Sequence, residues 1–200
     1  MSGELMTEST RRRLSDRQAD TVRRLTDAAV EEVRASGFDG FTVRNVARRA
    51  GVAPATAYTY FTSKNHLITE VFWRRLSALP PIQPSRQAPR ERVIAVLREI
   101  ALLVSDDPRL AAACTSALLG TDPDVQELRL RIGKAIRRRL RTALNPDAKP
   151  SESDARILNA LEFAYAGALV HAGIGYSSYA EMADRLAEVA ELLLQGEPIL

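Results

Sequence analysis

Apolar positions along this chain recur at steps of three and four residues, and no stretch alternates with the period of a strand. In "RQADTVRRLTDAAVEEVRASG", Val22, Leu25, Ala29 and Val33 mark one face of a helix that Gly37 stops. "FTVRNVARRAG" opens at Thr42, a good N-cap, and closes at Gly51. "PATAYTYF" is a short helix with Pro54 at its first position. Ser63 caps the next one, whose apolar stripe is Leu67, Ile68, Val71, Phe72 and Leu76. The segment "PPIQPSRQAP", residues 80–89, holds four prolines and reads as the junction between two parts of the chain.

Beyond the junction the spacing predicts a helix from about Pro89 to Ser105, with Val93, Ile94, Leu97, Ile100 and Val104 on one side. A shorter helix starts at Asp107-Pro108 and stops at Gly120; a long one starts at Asp122-Pro123 and ends before Asn145-Pro146. Ser151 with Asp154 and Ser178 with Glu181 resemble capping boxes. The helices they open reach about His171 to Gly175 and Gly196. The expected class is all-α, without internal repeats or low-complexity tracts. Its parts are a flexible arm over residues 1–14, a three-helix unit over 15–62, a connecting helix over 63–79 and a helical domain over 80–200.

The pair of short helices between Phe41 and Phe61 carries the most specific signal. Ala47 and Gly51 are small where one helix passes the next and the chain turns sharply. Ala57 and Tyr60 face inward from the second helix. This is helix-turn-helix spacing, which points to DNA; the plainer alternative is a helical hairpin with small residues at its bend.

Charge and composition alter this picture only slightly. Residues 1–80 carry 13 Lys/Arg against 9 Asp/Glu, and the remainder 15 against 16, so the positive excess lies with the helix-turn-helix. Only 3 of the 28 basic residues are Lys, which reads as an Arg-rich genomic composition. Cys114 is the only cysteine, so an intrachain disulfide or a cysteine-built zinc site is excluded. No apolar run approaches the roughly 18 residues of a membrane span and no signal-peptide core is present, so a soluble cytoplasmic protein is expected. His66 and His171 are the only histidines, and no HExxH, GxSxG or GxxxxGK[ST] motif occurs. Nothing assembles a nucleophile with its base, so neither an enzyme nor a cofactor or metal site is expected.

"FTVRNVARRAGVAPATAYTYFTSKNHL" closely resembles the N-terminal signature of the tetracycline-repressor (TetR/AcrR) family. The Thr-Val-Arg opening, the Ala-Gly-Val turn, the Tyr-x-Tyr-Phe and the Ser-Lys pair carry the resemblance, over roughly residues 16–76. It implies an Ω-shaped homodimer with an N-terminal DNA-binding domain and a C-terminal ligand and dimer domain. Two positions depart from the family pattern. Ala53 stands where Ser or Asn commonly caps the recognition helix, and Ala57 stands where Leu is more usual.

Thr42 and Lys64 lie at helix starts, where backbone N–H groups bind phosphates, and are read as phosphate clamps. Ala55, Thr56 and Thr59 have methyls and hydroxyls suited to base edges, and Tyr58 projects beside Thr59. The resemblance also implies that Thr56, Tyr58 and Thr59 face the groove or its phosphates. Tyr60 is either a core aromatic or a backbone contact at the groove rim. Arg44 is either a guanine contact or a phosphate clamp. Arg11, Arg12 and Arg13 form a basic arm that enters the minor groove or stays solvated.

In the C-terminal part, the small residues of "NALEFAYAGALVHAGIGY" let helices approach closely and suit half of a four-helix dimer interface, with internal packing as the alternative. Leu103, Leu110, Cys114, Leu118, Phe163 and His171 are the candidate lining of an apolar pocket for a small effector; an apolar stripe is otherwise plain core. Phe72 and Trp73 are relays or core. The run of basic residues from Arg129 to Arg141 reads as a solvated face, or else as an anion or DNA flank. The expected function is a dimeric regulator on a pseudo-palindromic double-stranded operator, a repressor released by a small apolar or aromatic effector. The alternatives are an activator and a helical interaction module without a ligand.

Overall fold

A computed structural model describes residues 16–83, 87–146 and 151–195. Among the described residues there are nine α-helices, one 3₁₀ turn and no strand. The helices are α1 Asp16–Gly40, α2 Val43–Arg49, α3 Pro54–Tyr60, α4 Lys64–Ala78, α5 Pro89–Ala101, α6 Pro108–Leu119, α7 Gln126–Leu144, α8 Glu152–Gly173 and α9 Tyr179–Leu193. The 3₁₀ turn, Pro123–Val125, leads into α7.

The helix starts follow from local chemistry. Thr42, Ser63, Asp107, Ser151 and Ser178 each accept a backbone N–H three residues on, at α2, α4, α6, α8 and α9. Both capping boxes close reciprocally. α1 is broken at Gly37, whose φ of +67° leaves the helical region. The spacing carries α5 on to Ser105, but the helix ends at Ala101. Leu102 to Asp106 then wind through three-residue turns that bring Asp107 to the start of α6. The final helix closes at Leu193, short of the expected end.

One hydrophobic core runs through the molecule, from Leu25 and Val33 of α1 through Leu67, Ile68 and Phe72 of α4 to Leu97, Leu140 and Leu186. α1 packs on α2, α4 and α6, and α4 also meets α7, so the N-terminal helices rest directly on the C-terminal ones. Ion pairs pin this junction. Arg34 of α1 holds Asp107 at 2.5 Å, and Arg75 of α4 reaches Asp106 at 2.8 Å. Burial raises the Asp107 carboxyl's pKa, but the Arg34 guanidinium and the Leu110 amide outweigh it and hold the group below the ordinary carboxylate range. No helix among the described residues is long and apolar enough to cross a membrane.

Candidate functional site

Residues 42–61 form two short helices held from behind by α1. The turn between them needs a left-handed residue, supplied by Gly51 at φ +63°. Two carbonyls at this bend, Ala50 and Gly51, lie beyond the end of α2, and the Arg24 guanidinium donates to both. One residue earlier, Arg49 donates to the buried carboxylate of Glu32 at 2.8 Å. Val46, Ala47, Ala57 and Phe61 fill the space beneath. The N-cap of α3, Ala53, makes no side-chain cap hydrogen bond, and Pro54 occupies the first turn. The entry of α3 is thus set by the locked turn and by the burial of Ala57.

This arrangement buries one residue of α3 and turns Ala55, Thr56, Tyr58 and Thr59 to solvent. Tyr60 packs part-buried against the core. The Thr59 hydroxyl donates to the Ala55 carbonyl at 3.1 Å, which leaves its oxygen able to accept a further bond on an exposed residue. Thr42 is exposed and accepts from the Asn45 amide at 3.1 Å, while Arg44, two residues on, is also exposed. Lys64 sits at the start of α4, donating to the Phe38 carbonyl at 3.1 Å with its ammonium 4.4 Å from the centre of the Phe38 ring. Six of the eight residues nominated for DNA therefore share exposed positions around α2 and α3, while Tyr60 and Lys64 are part-buried. The arm Arg11 to Arg13 lies outside the described residues. Sequence reasoning missed Arg24, because its target carbonyls are 26 and 27 residues away and no spacing rule links them.

In the C-terminal half, a cavity of about 480 Å³ opens between α4, α6, α7 and α8. Phe72, Leu118, Ile132, Ile136, Tyr165 and Leu169 give it an apolar wall. Arg129, Lys134 and Arg137 also line it, together with Glu162, which pairs with Arg137 at 2.7 Å. Of the six pocket residues nominated from the sequence, only Leu118 borders this space. Cys114 and Leu110 lie one and two turns earlier on the same side of α6, where the core is closed; burial raises the Cys114 thiol's pKa to about 12, so it stays protonated. Leu103 lies in the turns after α5, and Phe163 and His171 are on the outer side of α8, Phe163 being 83% exposed. The apolar stripe of α6 was read on its core side, and the cavity uses its C-terminal end instead.

The basic run of α7 is not one solvated face. Arg129 and Arg137 stand two turns apart on the cavity side with Gly133 between them, Arg139 pairs with Glu99 at 2.5 Å, and Arg131 covers the Trp73 ring at 4.7 Å. Spacing at i, i+4 and i+8 was the available signal.

The remaining large surface is α8. Only Leu158 and Leu161 of its 22 residues are buried. Phe163, Gly167, Val170 and, just past its end, Ile174 stand exposed along one side, with Leu192 and Leu193 of α9 also exposed. Gly173 faces α6, where a Cβ would come within 2.5 Å of the Thr115 methyl.

Comparisons with known proteins agree with this geometry. The family described as "Bacterial regulatory proteins, tetR family" matches residues 25–71, from the middle of α1 into α4. An uncharacterised HTH-type transcriptional regulator of Mycobacterium tuberculosis is 47% identical over 182 residues, covering 90% of this chain and 83% of that protein. The HTH-type transcriptional repressor KstR of Rhodococcus jostii is 29% identical over 182 residues, 90% of this chain and 85% of that one. A TetR transcriptional regulator from Rhodococcus sp. RHA1 shares the fold with a TM-score of 0.75 at 24% identity, over 92% of this chain and 100% of that one. With its helix-turn-helix and all-helical remainder, the chain belongs to the tetR family of bacterial transcriptional regulators.

Proposed function

We propose that this regulator binds a pseudo-palindromic DNA operator as a homodimer and represses transcription until a small molecule enters the α6–α8 cavity. The observation that carries the DNA reading is the outward face of α3. A seven-residue helix that buries only Ala57 contributes little to the core, and its exposed Ala55, Thr56, Tyr58 and Thr59 suit thymine methyls and base acceptors. Arg44 adds a guanine or phosphate contact, and Thr42 marks a helix start suited to a phosphate. Lys64 keeps further N–H donors beyond its bond to Phe38, enough for a phosphate as well. Without long polar side chains on α3, specificity rests on methyl contacts, single hydrogen bonds and DNA shape.

The exposed side of α8 supports the dimer, because an apolar stripe of this length on a helix is covered by a like surface in symmetric pairs. Repression is supported by the named activity of the R. jostii relative. The cavity lies in the size range of small-molecule sites, and its lining suits a guest with an apolar body and an anionic end near Lys134 and Arg137. Selection of bound sequences from random duplex DNA tests the reading. It predicts enrichment of two inverted half-sites about one helical turn, or a multiple, apart. Enrichment of no sequence, or of a single unpaired half-site, contradicts it.

A further inference from the structure

The four residues that open α4 tie it to three other parts of the molecule. Ser63 caps the helix by accepting the His66 amide, and its own hydroxyl donates to Asp122 at 2.8 Å. Lys64 reaches the end of α1 at Phe38. Asn65 donates to the same Asp122 oxygen at 3.0 Å. The His66 ring packs edge-on against Phe61, which directly follows α3. A displacement of this turn is therefore delivered within a few residues to the recognition helix.

Asp122 belongs to the α6–α7 turn, which is also one end of the cavity wall. Its other oxygen accepts the Asp124 amide at 3.0 Å. The hydrogen bond from Ser63, ahead of that from Asn65, holds its carboxyl below the ordinary range, and a negative charge beside the first turn of α4 suits the helix dipole. On the cavity side, Arg129 clamps the same turn by donating to the Leu118 carbonyl at 3.3 Å, the Gly120 carbonyl and the Asp122 carbonyl at 3.2 Å. Leu118, Leu119 and Arg129 all line the cavity.

We infer that Asp122 is the coupling residue through which a guest in the cavity acts on the helix-turn-helix. This rests on the reading of that cavity as the effector site. A guest whose anionic end draws Arg129 from its three carbonyls, or whose body displaces Leu118 and Leu119 at the end of α6, loosens the α6–α7 turn. Asp122 then no longer fixes Ser63 and Asn65, and the first turn of α4 becomes free to shift. The charge is local, but the element it biases joins both halves of the chain.

The test is a double-mutant cycle read by amide hydrogen exchange over residues 66–71, with neither DNA nor ligand present, so its outcome is separate from that of the operator selection. Arg129→Met keeps the aliphatic wall but removes the clamp, imitating its capture by a guest. Asp122→Ser still caps the Asp124 amide but is too short to reach Ser63 and Asn65. Each substitution is expected to speed exchange at the start of α4 about tenfold, and the double variant to exchange no faster than either. Asp122→Asn, which keeps an acceptor oxygen for Ser63 and Asn65, is expected to restore most of the protection. Unchanged exchange in Arg129→Met, or effects that multiply in the double variant, overturns the inference.

Discussion

α3 and α8 differ in length by a factor of three but share one property: both bury very little of themselves. α3 buries one residue of seven and α8 two of 22. Their uncovered faces have opposite chemistry. α3 exposes Thr and Tyr hydroxyls among small groups, on a scaffold locked by Arg24, Glu32 and Ala57. α8 exposes Phe163, Val170 and Ile174 around Gly167, with no hydroxyl or charge among them. A helix that contributes so little to its own core is held for something outside it, and the exposed chemistry indicates the partner. A polar, methyl-bearing face suits a hydrated groove, and an apolar one suits another copy of itself.

The largest expected effect breaks the α8 side of this contrast. Phe163→Glu with Ile174→Glu leaves the folded subunit intact, because both positions are exposed, but buries unpaired charges in the proposed interface. Each costs several kcal/mol, so association weakens by at least about a thousandfold. Sedimentation should show monomers of unchanged helicity; dimers that persist remove α8 from the interface.

The matching change on α3 is smaller. Tyr58→Phe with Thr59→Val removes two hydroxyls while keeping shape, and is expected to cost about 1–3 kcal/mol of operator affinity, roughly ten- to hundredfold. Dimerisation should be untouched. Full affinity in a folded double variant means that another surface reads the DNA.

Gly51→Ala sharpens the claim that the turn, rather than an N-cap, sets the angle of α3. The alanine must adopt a left-handed backbone conformation, and its methyl lies 3.1 Å from the Arg24 guanidinium. A loss of about 1–2 kcal/mol of stability follows, or several degrees in Tm. Calorimetry showing an unchanged Tm contradicts the strain argument.

Lys64→Ala gives the smallest effect, lowering the salt dependence of DNA binding by about one unit of slope. An unchanged slope leaves Lys64 solely as the strut between α4 and Phe38.

Most of this architecture was legible along the chain because it is local. Thr42, Ser63, Asp107 and the two capping boxes mark where helices begin, and a three-four apolar stripe identifies the buried side of α1, α4 and α7. Ala53 announced the missing cap of α3. Long-range bonds left no such trace. Arg24 meets carbonyls about 26 residues on, and Asp122 meets residues nearly 60 positions earlier. The lining of the cavity is hidden for the same reason. Periodicity puts Cys114 and Leu118 on one side of α6, and only packing decides that the first closes the core while the second, a turn later, borders open space. The basic residues of α7 were likewise read by charge alone, whereas Arg129 works as a clamp on a turn.

The central claim is that α3 meets DNA while α8 joins two copies to do so. Sedimentation of the 22.0 kDa chain with a selected duplex tests both at once. The account predicts two chains per inverted pair of half-sites and a marked loss of affinity when one half-site is scrambled. A single chain bound with undiminished affinity to one half-site would contradict it.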